Sequence, residues 1–382
     1  MSNLWREAWR DMRIGIDVHV LNGPPQGTAS VWLNLLPELP STHEYRLYSF
    51  DPRVTARLFP QAHFTHARIP LRSPYLRIPV VYPWLARRDD CDVFHVNYFG
   101  PWFGVPGVVV TIHDLIYIDF PQYAPAARRL QFATLGLLTA RAAREITTVS
   151  QYSKGRIIER FGVSGEGITV VPNAIGRAWL QPDRAAVGAA WARLGPRLPE
   201  RFVLTVGRLE PRKSFPQAAR VARALRSLGL VDGLVVVGPE DFGGPAIRRE
   251  WVSDGTLDLV THLCALDVVE LQALYSHARC LLLLSLAEGF GIPILEAMAM
   301  GTPVVASNRT AFPEVCGDAA RLVDPADEEE VVAATRNVLT DEALRVGLAE
   351  RGKARAQLHN GERSAKQLVT VYERAATSSE RP

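Results

Sequence analysis

The chain has 382 residues, a length that suits two domains or at most three. Its 43 Lys and Arg stand against 40 Asp and Glu, a net charge of +3, so there is no global basic field and nucleic acid is not an expected partner. A composition that is 47% hydrophobic and 22% charged excludes disorder over most of the length.

Four cysteines, Cys91, Cys264, Cys280 and Cys316, form no C-x-x-C pair and sit among small or apolar residues. Reduced, mostly buried thiols are therefore expected, not a zinc site or a disulfide framework. The opening MSNLWREAWRDMR lacks the apolar core of a secretory signal, and the longest strongly apolar stretch, around 280–286, is too short to span a bilayer. A cytoplasmic location is the expectation.

Residues 13–20 (RIGIDVHV) read as a first strand, followed by a Gly/Pro loop at 23–27 and a helix at 29–39. Further strands are expected at 45–50, 93–97, 107–112 and 145–149, with one long proline-free helix at 126–144. Continuous β-branched runs such as 108–112 suit strands buried on both faces, as in a parallel sheet. A strand at 168–172 leads into a loop with Asn173. Residues 181–200, rich in Pro, Arg and Ala, break the periodicity and read as an inter-domain connection that carries a short helix.

A second strand series then begins, at 202–206, 234–237, 257–263, 280–284, 303–306 and 320–323. Helices are expected between these strands at 217–228, 268–276, 293–300 and 328–340, and a last helical pattern runs from 343 to 376. Strands alternating with helices in two blocks predict an α/β protein of two facing Rossmann-like domains with parallel sheets. Their expected extents are 1–180, completed by a C-terminal helix at 361–382, and 201–360.

The most informative segment is EGFGIPILEAMAMG, residues 288–301, directly after an apolar strand. Gly289 and Gly291 permit a tight turn and close approach of backbone to a ligand. Pro293 suits the first turn of a helix and Gly301 its end. The turn should thus present a helix N-terminus, whose free N–H groups and dipole favour a phosphate. Glu288 before the turn and Glu296 within the helix suit hydrogen bonds from sugar hydroxyls on either side of that phosphate. Solvated glutamates beside a capped helix are the ordinary alternative, but strand, carboxylate, Gly-x-Gly, Pro, carboxylate, Gly is a more specific order.

With Glu288 and Glu296 at this separation, the segment resembles the E-x7-E signature of glycosyltransferase family four, retaining enzymes of GT-B fold. Other stretches are similar to family segments in the expected order: GIDVHVLNGPPQGTASVWLNLLPEL, TIHDLIYIDFPQY, TVSQYSKGRI, VVPNAI, VGRLEPRK and SNRTAFPEVCGDAA. The resemblance implies a donor-binding cleft between two domains, with the donor held mainly by the second. Matching residues give Arg208 and Lys213 the donor diphosphate and the leaving-group charge. Glu288 would contact the transferred sugar near the reacting centre, and Glu296 the ribose hydroxyls. Gly289, Phe290, Gly291 and Ile292 would offer backbone N–H groups.

His113 would bind the donor sugar and line the acceptor side, with Asp114 beside it or capping the next segment. Gly23 and Gly27 would flank a loop near the diphosphate, and Ser150 and Asn173 would line the cleft. Two departures from the family pattern stand out: Ser214, where Lys-Asn is common for the last two residues of Arg212-Lys213-Ser214, and Thr28-Ala29-Ser30 in place of Gly-Ile-Gly.

The resemblance implies transfer of a hexosyl unit, with retention, from a nucleoside diphosphate sugar to an acceptor hydroxyl. GDP-mannose is the leading donor, and a polysaccharide, O-antigen or lipid-linked glycan the acceptor. No cofactor is expected; side-chain cations stand where a metal would, so metal independence is expected. Residues 68–88, with Arg68, Arg72, Arg77, Arg87 and Arg88 among Tyr75, Tyr82 and Trp84, suit a lipid-phosphate surface and peripheral membrane contact. Pro74, Pro79 and Pro83 argue against one continuous helix there, and a loop packing its aromatics inward is the alternative. A nucleotide-sugar epimerase and a non-catalytic nucleotide-sugar-binding subunit are competing readings. A dinucleotide oxidoreductase is weak, because no G-x-G-x-x-G follows the strand at 13–20 or at 234–237.

Overall fold

The computed structural model of the protein describes residues 11–23, 27–105, 107–241 and 243–377. The chain divides into two units, residues 1–174 with 361–382 and residues 175–360. Each is built on one parallel sheet.

The first sheet has seven strands: β1 Arg13–Asp17, β2 Glu44–Ser49, β3 Phe64–Arg68, β4 Val93–Asn97, β5 Val108–Thr111, β6 Glu145–Thr148 and β7 Ile168–Val170. Their order is β3-β2-β1-β4-β5-β6-β7. The second has six: β8 Phe202–Val206, β9 Gly233–Val237, β10 Val260–Leu263, β11 Cys280–Leu283, β12 Val304–Ser307 and β13 Arg321–Val323, ordered β10-β9-β8-β11-β12-β13. Every residue of β4, β5, β8, β9, β11 and β12 is buried. Helices on both faces remove such strands from water, which is why they read as continuous apolar runs and not as alternating ones. Strand order reverses between β1 and β4 in one sheet and between β8 and β11 in the other. Each reversal leaves a crevice at the carboxyl ends of the strands, the usual place for a ligand in open α/β sheets.

Several elements differ from the sequence expectation. The first strand ends at Asp17, and a 3-10 turn, His19–Asn22, follows. Residues 24–26 of the Gly/Pro loop lie outside the described residues. The helix expected at 126–144 is present as one helical run, Ala126–Gln131 and Leu137–Ala142 joined by a wide π-helical turn, Phe132–Gly136. β3, the helix Gln151–Phe161 and the helix Gly244–Ser253 were not in the expected set.

The division between units falls at Ala174 and Ile175, ahead of the expected 181–200 connection. Within that stretch, Arg184–Leu194 is a helix of the second unit, capped by the Asp183 carboxylate, with Val187 and Ala190 packed on Ala273. Its Ala-rich, weakly amphipathic sequence hides that packing. The pattern expected at 343–376 is two helices, Glu342–Leu358 and Gly361–Thr377. The break between them is where the chain returns to the first unit. There Tyr372 donates to or accepts from His95 Nδ1 at 2.7 Å, the Ser364 hydroxyl donates to the Pro172 carbonyl, and Arg374 pairs with Glu145.

Residues 74–88 are helical throughout, as Pro74–Leu76, a π turn Arg77–Val81 and Tyr82–Arg88, so the prolines do not break the run. Pro74 lies in a first turn, where its missing N–H costs nothing. The widened turn around Pro79 relieves the clash a tight helix would make with the carbonyl one turn back. All four cysteines are free; Cys91, Cys280 and Cys316 are buried and Cys264 is exposed, in line with mostly buried thiols.

Candidate active site

In the second unit the loops after β8 and β11 meet at the crevice. Gly207, just past β8, has φ 149°, and a Cβ there would lie 2.8 Å from the Lys213 side chain. Glycine thus lets the Lys213 stem fold back across the strand end. The Leu286 N–H donates to the Arg212 carbonyl at 2.7 Å, tying the two loops together. Lys213 Nζ then reaches Glu288 Oε1 at 2.7 Å, and Arg212 Nη1 reaches the same oxygen at 2.9 Å. Arg212 also donates to the Ala287 carbonyl and pairs with Glu210. Arg208 pairs with Asp241 and, at 3.3 Å, with Glu210. Three cations and three carboxylates are interleaved, and the Glu288 N–H is held by the Thr310 hydroxyl at 3.0 Å.

The Gly-x-Gly turn follows. Gly291 has φ 120°, and a Cβ would press on the Phe312 ring at 2.8 Å, so only glycine fits that turn without strain. Phe290 is buried, with its ring against His359. The helix Ile292–Ala299 starts at once, with Pro293 in its first turn and no side-chain cap. Its first N–H groups therefore have no side chain to satisfy them and suit an anion. Glu296, one turn in, accepts from the Tyr275 hydroxyl at 3.0 Å.

The two glutamates titrate in opposite directions. Burial alone would raise the Glu288 carboxyl, but Arg212 and Lys213 outweigh it and hold it at about 2. Burial raises Glu296 to about 7, against a smaller lowering by the Tyr275 hydroxyl. Glu288 is thus a permanent anion among cations, whereas Glu296 sits near the middle of its titration at neutral pH.

In the first unit the crevice lies between the ends of β1 and β4. Asn97, closing β4, donates from Nδ2 to the Asp17 carbonyl at 3.3 Å and presents Oδ1 to His113 Nε2 at 3.1 Å. An amide oxygen only accepts, so Nε2 carries the proton and Nδ1 is left as an acceptor. Burial holds the imidazole down at about 4, so it is neutral at physiological pH. Asn173, also buried, has an Oδ1 with no hydrogen-bond partner among the described residues. It lines a cavity of about 20 Å³ with Asn97, Thr111, His113 and His95. That is room for one water, which such an oxygen would otherwise lack.

The remaining predicted residues have local roles. Asp114 accepts from the Ile116 N–H, and the Ser150 hydroxyl caps the helix Gln151–Phe161 by accepting from Ser153 N–H. Gly23 is extended backbone, and a Cβ on Gly27 would meet nothing within 4 Å, so neither needs to be glycine for conformation or space. The sequence did not single out Arg212, Thr310, Tyr275 or Asn97. Arg212 stood in a basic run beside Lys213 and Thr310 within the segment SNRTAFPEVCGDAA, but Tyr275 and Asn97 carried no local signal.

Two family models cover most of the chain: "Glycosyltransferase Family 4" over residues 25–178 and "Glycosyl transferases group 1" over residues 192–355. The chain is 29% identical over 299 residues to O-antigen chain mannosyltransferase B of Escherichia coli, covering 75% of this chain and 76% of that protein. It is 32% identical over 310 residues to MMP alpha-(1->4)-mannosyltransferase of Mycolicibacterium hassiacum, covering 76% and 72%. Among solved structures, WaaG, a glycosyltransferase involved in lipopolysaccharide biosynthesis, superposes with a TM-score of 0.72 at 17% identity over 95% of this chain and 98% of that one. Anabaena HepE in complex with UDP and glucose gives 0.72 at 18% identity, over 95% and 99%. With two parallel Rossmann-like sheets and these matches, the chain belongs to glycosyltransferase family 4 and has the GT-B fold.

Proposed function

We propose that the protein is a retaining hexosyltransferase that moves mannose from GDP-mannose to a sugar hydroxyl of a polysaccharide, O-antigen or lipid-linked glycan precursor. The observation that carries this reading is the Arg208, Arg212, Lys213 and Glu288 cluster at the β8/β11 crevice, beside the uncapped helix Ile292–Ala299. Relatives named as mannosyltransferases support the choice of sugar.

The donor diphosphate enters where cations are already aimed, and Arg208 and Lys213 exchange carboxylate partners for phosphate. The acceptor hydroxyl attacks the anomeric carbon on the face that the diphosphate leaves. The new C–O bond forms as the old one breaks, and the acceptor proton passes to the departing diphosphate oxygen. Charge grows on that oxygen in the transition state, so Lys213, Arg208 and the helix N–H groups act where stabilisation accelerates the step. Glu288, ionised at any physiological pH, is no proton donor; its charge lies close to where positive charge develops on the sugar. His113 Nδ1 accepts from a sugar hydroxyl, and Glu296 from the ribose.

The cations balance the diphosphate without a metal, and activity that survives a chelator is the expected outcome; complete loss restored by Mg²⁺ or Mn²⁺ contradicts it. No helix among the described residues is long and apolar enough to cross a membrane. Peripheral contact at the cytoplasmic face of the membrane is proposed for residues 68–88, where Tyr75 is 71% and Trp84 50% exposed and Arg88 lies over the Trp84 ring. Co-sedimentation with anionic vesicles that is unchanged when Arg87 and Arg88 become Gln removes that contact. The donor is tested by a thermal-shift panel of nucleoside diphosphates and their sugars. A shift specific to GDP and GDP-mannose supports the reading, and one specific to UDP overturns it.

A further inference from the structure

The carboxyl end of β1 carries a cluster that donor chemistry does not use. Asp17, the last residue of β1, is 1% exposed. Its carboxylate accepts the His19 ring at 2.7 Å, the His19 backbone N–H at 3.1 Å and the Tyr82 hydroxyl at 2.6 Å. Burial alone would raise the Asp17 carboxyl, but His19, Arg77 and Tyr82 together hold it below the ordinary range. A fixed anion therefore grips the imidazole at Nδ1 and leaves Nε2 as its other hydrogen-bonding atom. The His19 side chain is 23% exposed, and its ring packs on Phe50 with centroids 5.2 Å apart.

Two guanidiniums lie on the same Phe50 ring, Arg72 at 4.9 Å and Arg77 at 5.3 Å from its centroid. Arg77 donates to the Arg72 carbonyl at 3.2 Å, which holds the two together, and its Nε is buried with no hydrogen-bond partner among the described residues. Among those residues neither guanidinium forms an ion pair. The adjacent acid, Asp51, gives both carboxylate oxygens to Arg53 at 3.0 and 3.1 Å. Two cations and an oriented imidazole thus gather on one aromatic platform, at the strand reversal where this fold puts ligands, with Arg77 also acting on the buried Asp17.

We propose that Arg72 and Arg77 bind a phosphate group carried by the acceptor, an inference that rests on the glycosyl-transfer reading. Guanidinium matches phosphate geometry with paired N–H donors, and a ring beneath it limits the freedom lost on binding. The phosphate belongs either to a lipid headgroup or to a soluble phosphorylated sugar, and the recognising chemistry is the same for both.

The test is calorimetric titration of the full chain with methyl phosphate, in the wild type, in Arg72→Gln, in the Arg72→Gln/Arg77→Gln double variant and in Lys213→Ala. The expected result is affinity lowered about tenfold or more in the double variant, partly in Arg72→Gln, and unchanged in Lys213→Ala. Arg72 is exposed, so its single substitution keeps the comparison valid even if the double variant fails to fold. Phosphatidylcholine vesicles with and without phosphatidic acid separate the sources. Retention on phosphatidic acid that needs Arg72 and Arg77 marks a headgroup, and binding of methyl phosphate without such retention marks a soluble acceptor. Methyl phosphate binding that follows Lys213 and ignores Arg72 and Arg77, or its absence together with vesicle retention that ignores them, overturns the proposal. Nucleoside diphosphate binding, read on the same samples, depends on Lys213 and not on Arg72. Its absence would count against the donor reading and leave the phosphate result standing.

Discussion

Glu288 and Glu296 show how environment divides labour between two residues of one kind. Glu296 has no cation beside it, and its raised folded value, about 7 against 4.5 for an unperturbed glutamate, gives a pH signature. The folded state binds its proton more tightly than the unfolded state does. Its contribution to stability is therefore fully present below about 4.5 and is lost as pH rises through about 7. In the proposed role donor binding runs the other way, because ribose hydroxyls would donate to the carboxylate. Donor affinity should strengthen as pH rises through about 7, and Glu296→Gln should flatten that profile in calorimetric titrations; a profile that is the same in both proteins contradicts this role. If Lys213 acts on the leaving group as proposed, Lys213→Ala should lower kcat by about 10²–10³-fold. A rise in KM at unchanged kcat would place Lys213 in ground-state binding only.

Local geometry explains one departure from the family pattern and makes it testable. Ser214 stands at φ 54°, ψ 37°, a left-handed conformation, between the turn Pro211–Lys213 and the helix Phe215–Ser227. Asparagine tolerates that region better than serine, which also makes no side-chain cap here. Ser214→Asn should stabilise the protein by about 0.5–1 kcal/mol in chemical denaturation, and a loss of stability would contradict the argument. Elements of this kind were legible wherever hydrophobic runs and turn residues lay close in sequence, as in the Gly-x-Gly turn and the buried strands. They were misread where proline stood for structure: a π turn carries the chain through Pro79. The site was legible to the same extent. The order of Glu288, Gly291, Pro293 and Glu296 is visible along the chain. The partners of the two glutamates, Lys213, Thr310 and Tyr275, lie 75, 22 and 21 residues away and meet them only through the order of strands in the sheet.

Across the whole molecule, the chain leaves the first unit after Ala174 and returns at Gly361, so the last helix packs on the sheet that begins at Arg13. The return is secured by a buried chain of hydrogen bonds from Tyr372 through His95 to Thr111 and Thr147. Burial, with a smaller effect of His113, holds His95 down at about 3, so it is neutral and its two ring nitrogens need one donor and one acceptor. Tyr372→Phe leaves one nitrogen unpaired in the core, a cost of about 1–3 kcal/mol. Amides of β4 and β5 should exchange faster with deuterium while those of β8 and β11 keep their protection; equal loss in both sheets would contradict the assignment of the last helix to the first unit.

A nucleoside diphosphate is proposed to bind at the β8/β11 crevice through Arg208 and Lys213. Calorimetric titration of GDP into the wild-type protein and into Lys213→Ala and Arg208→Ala tests it most directly. The expected result is saturable binding to the wild type and affinity at least about tenfold weaker in each variant. Equal affinity in all three proteins would contradict it.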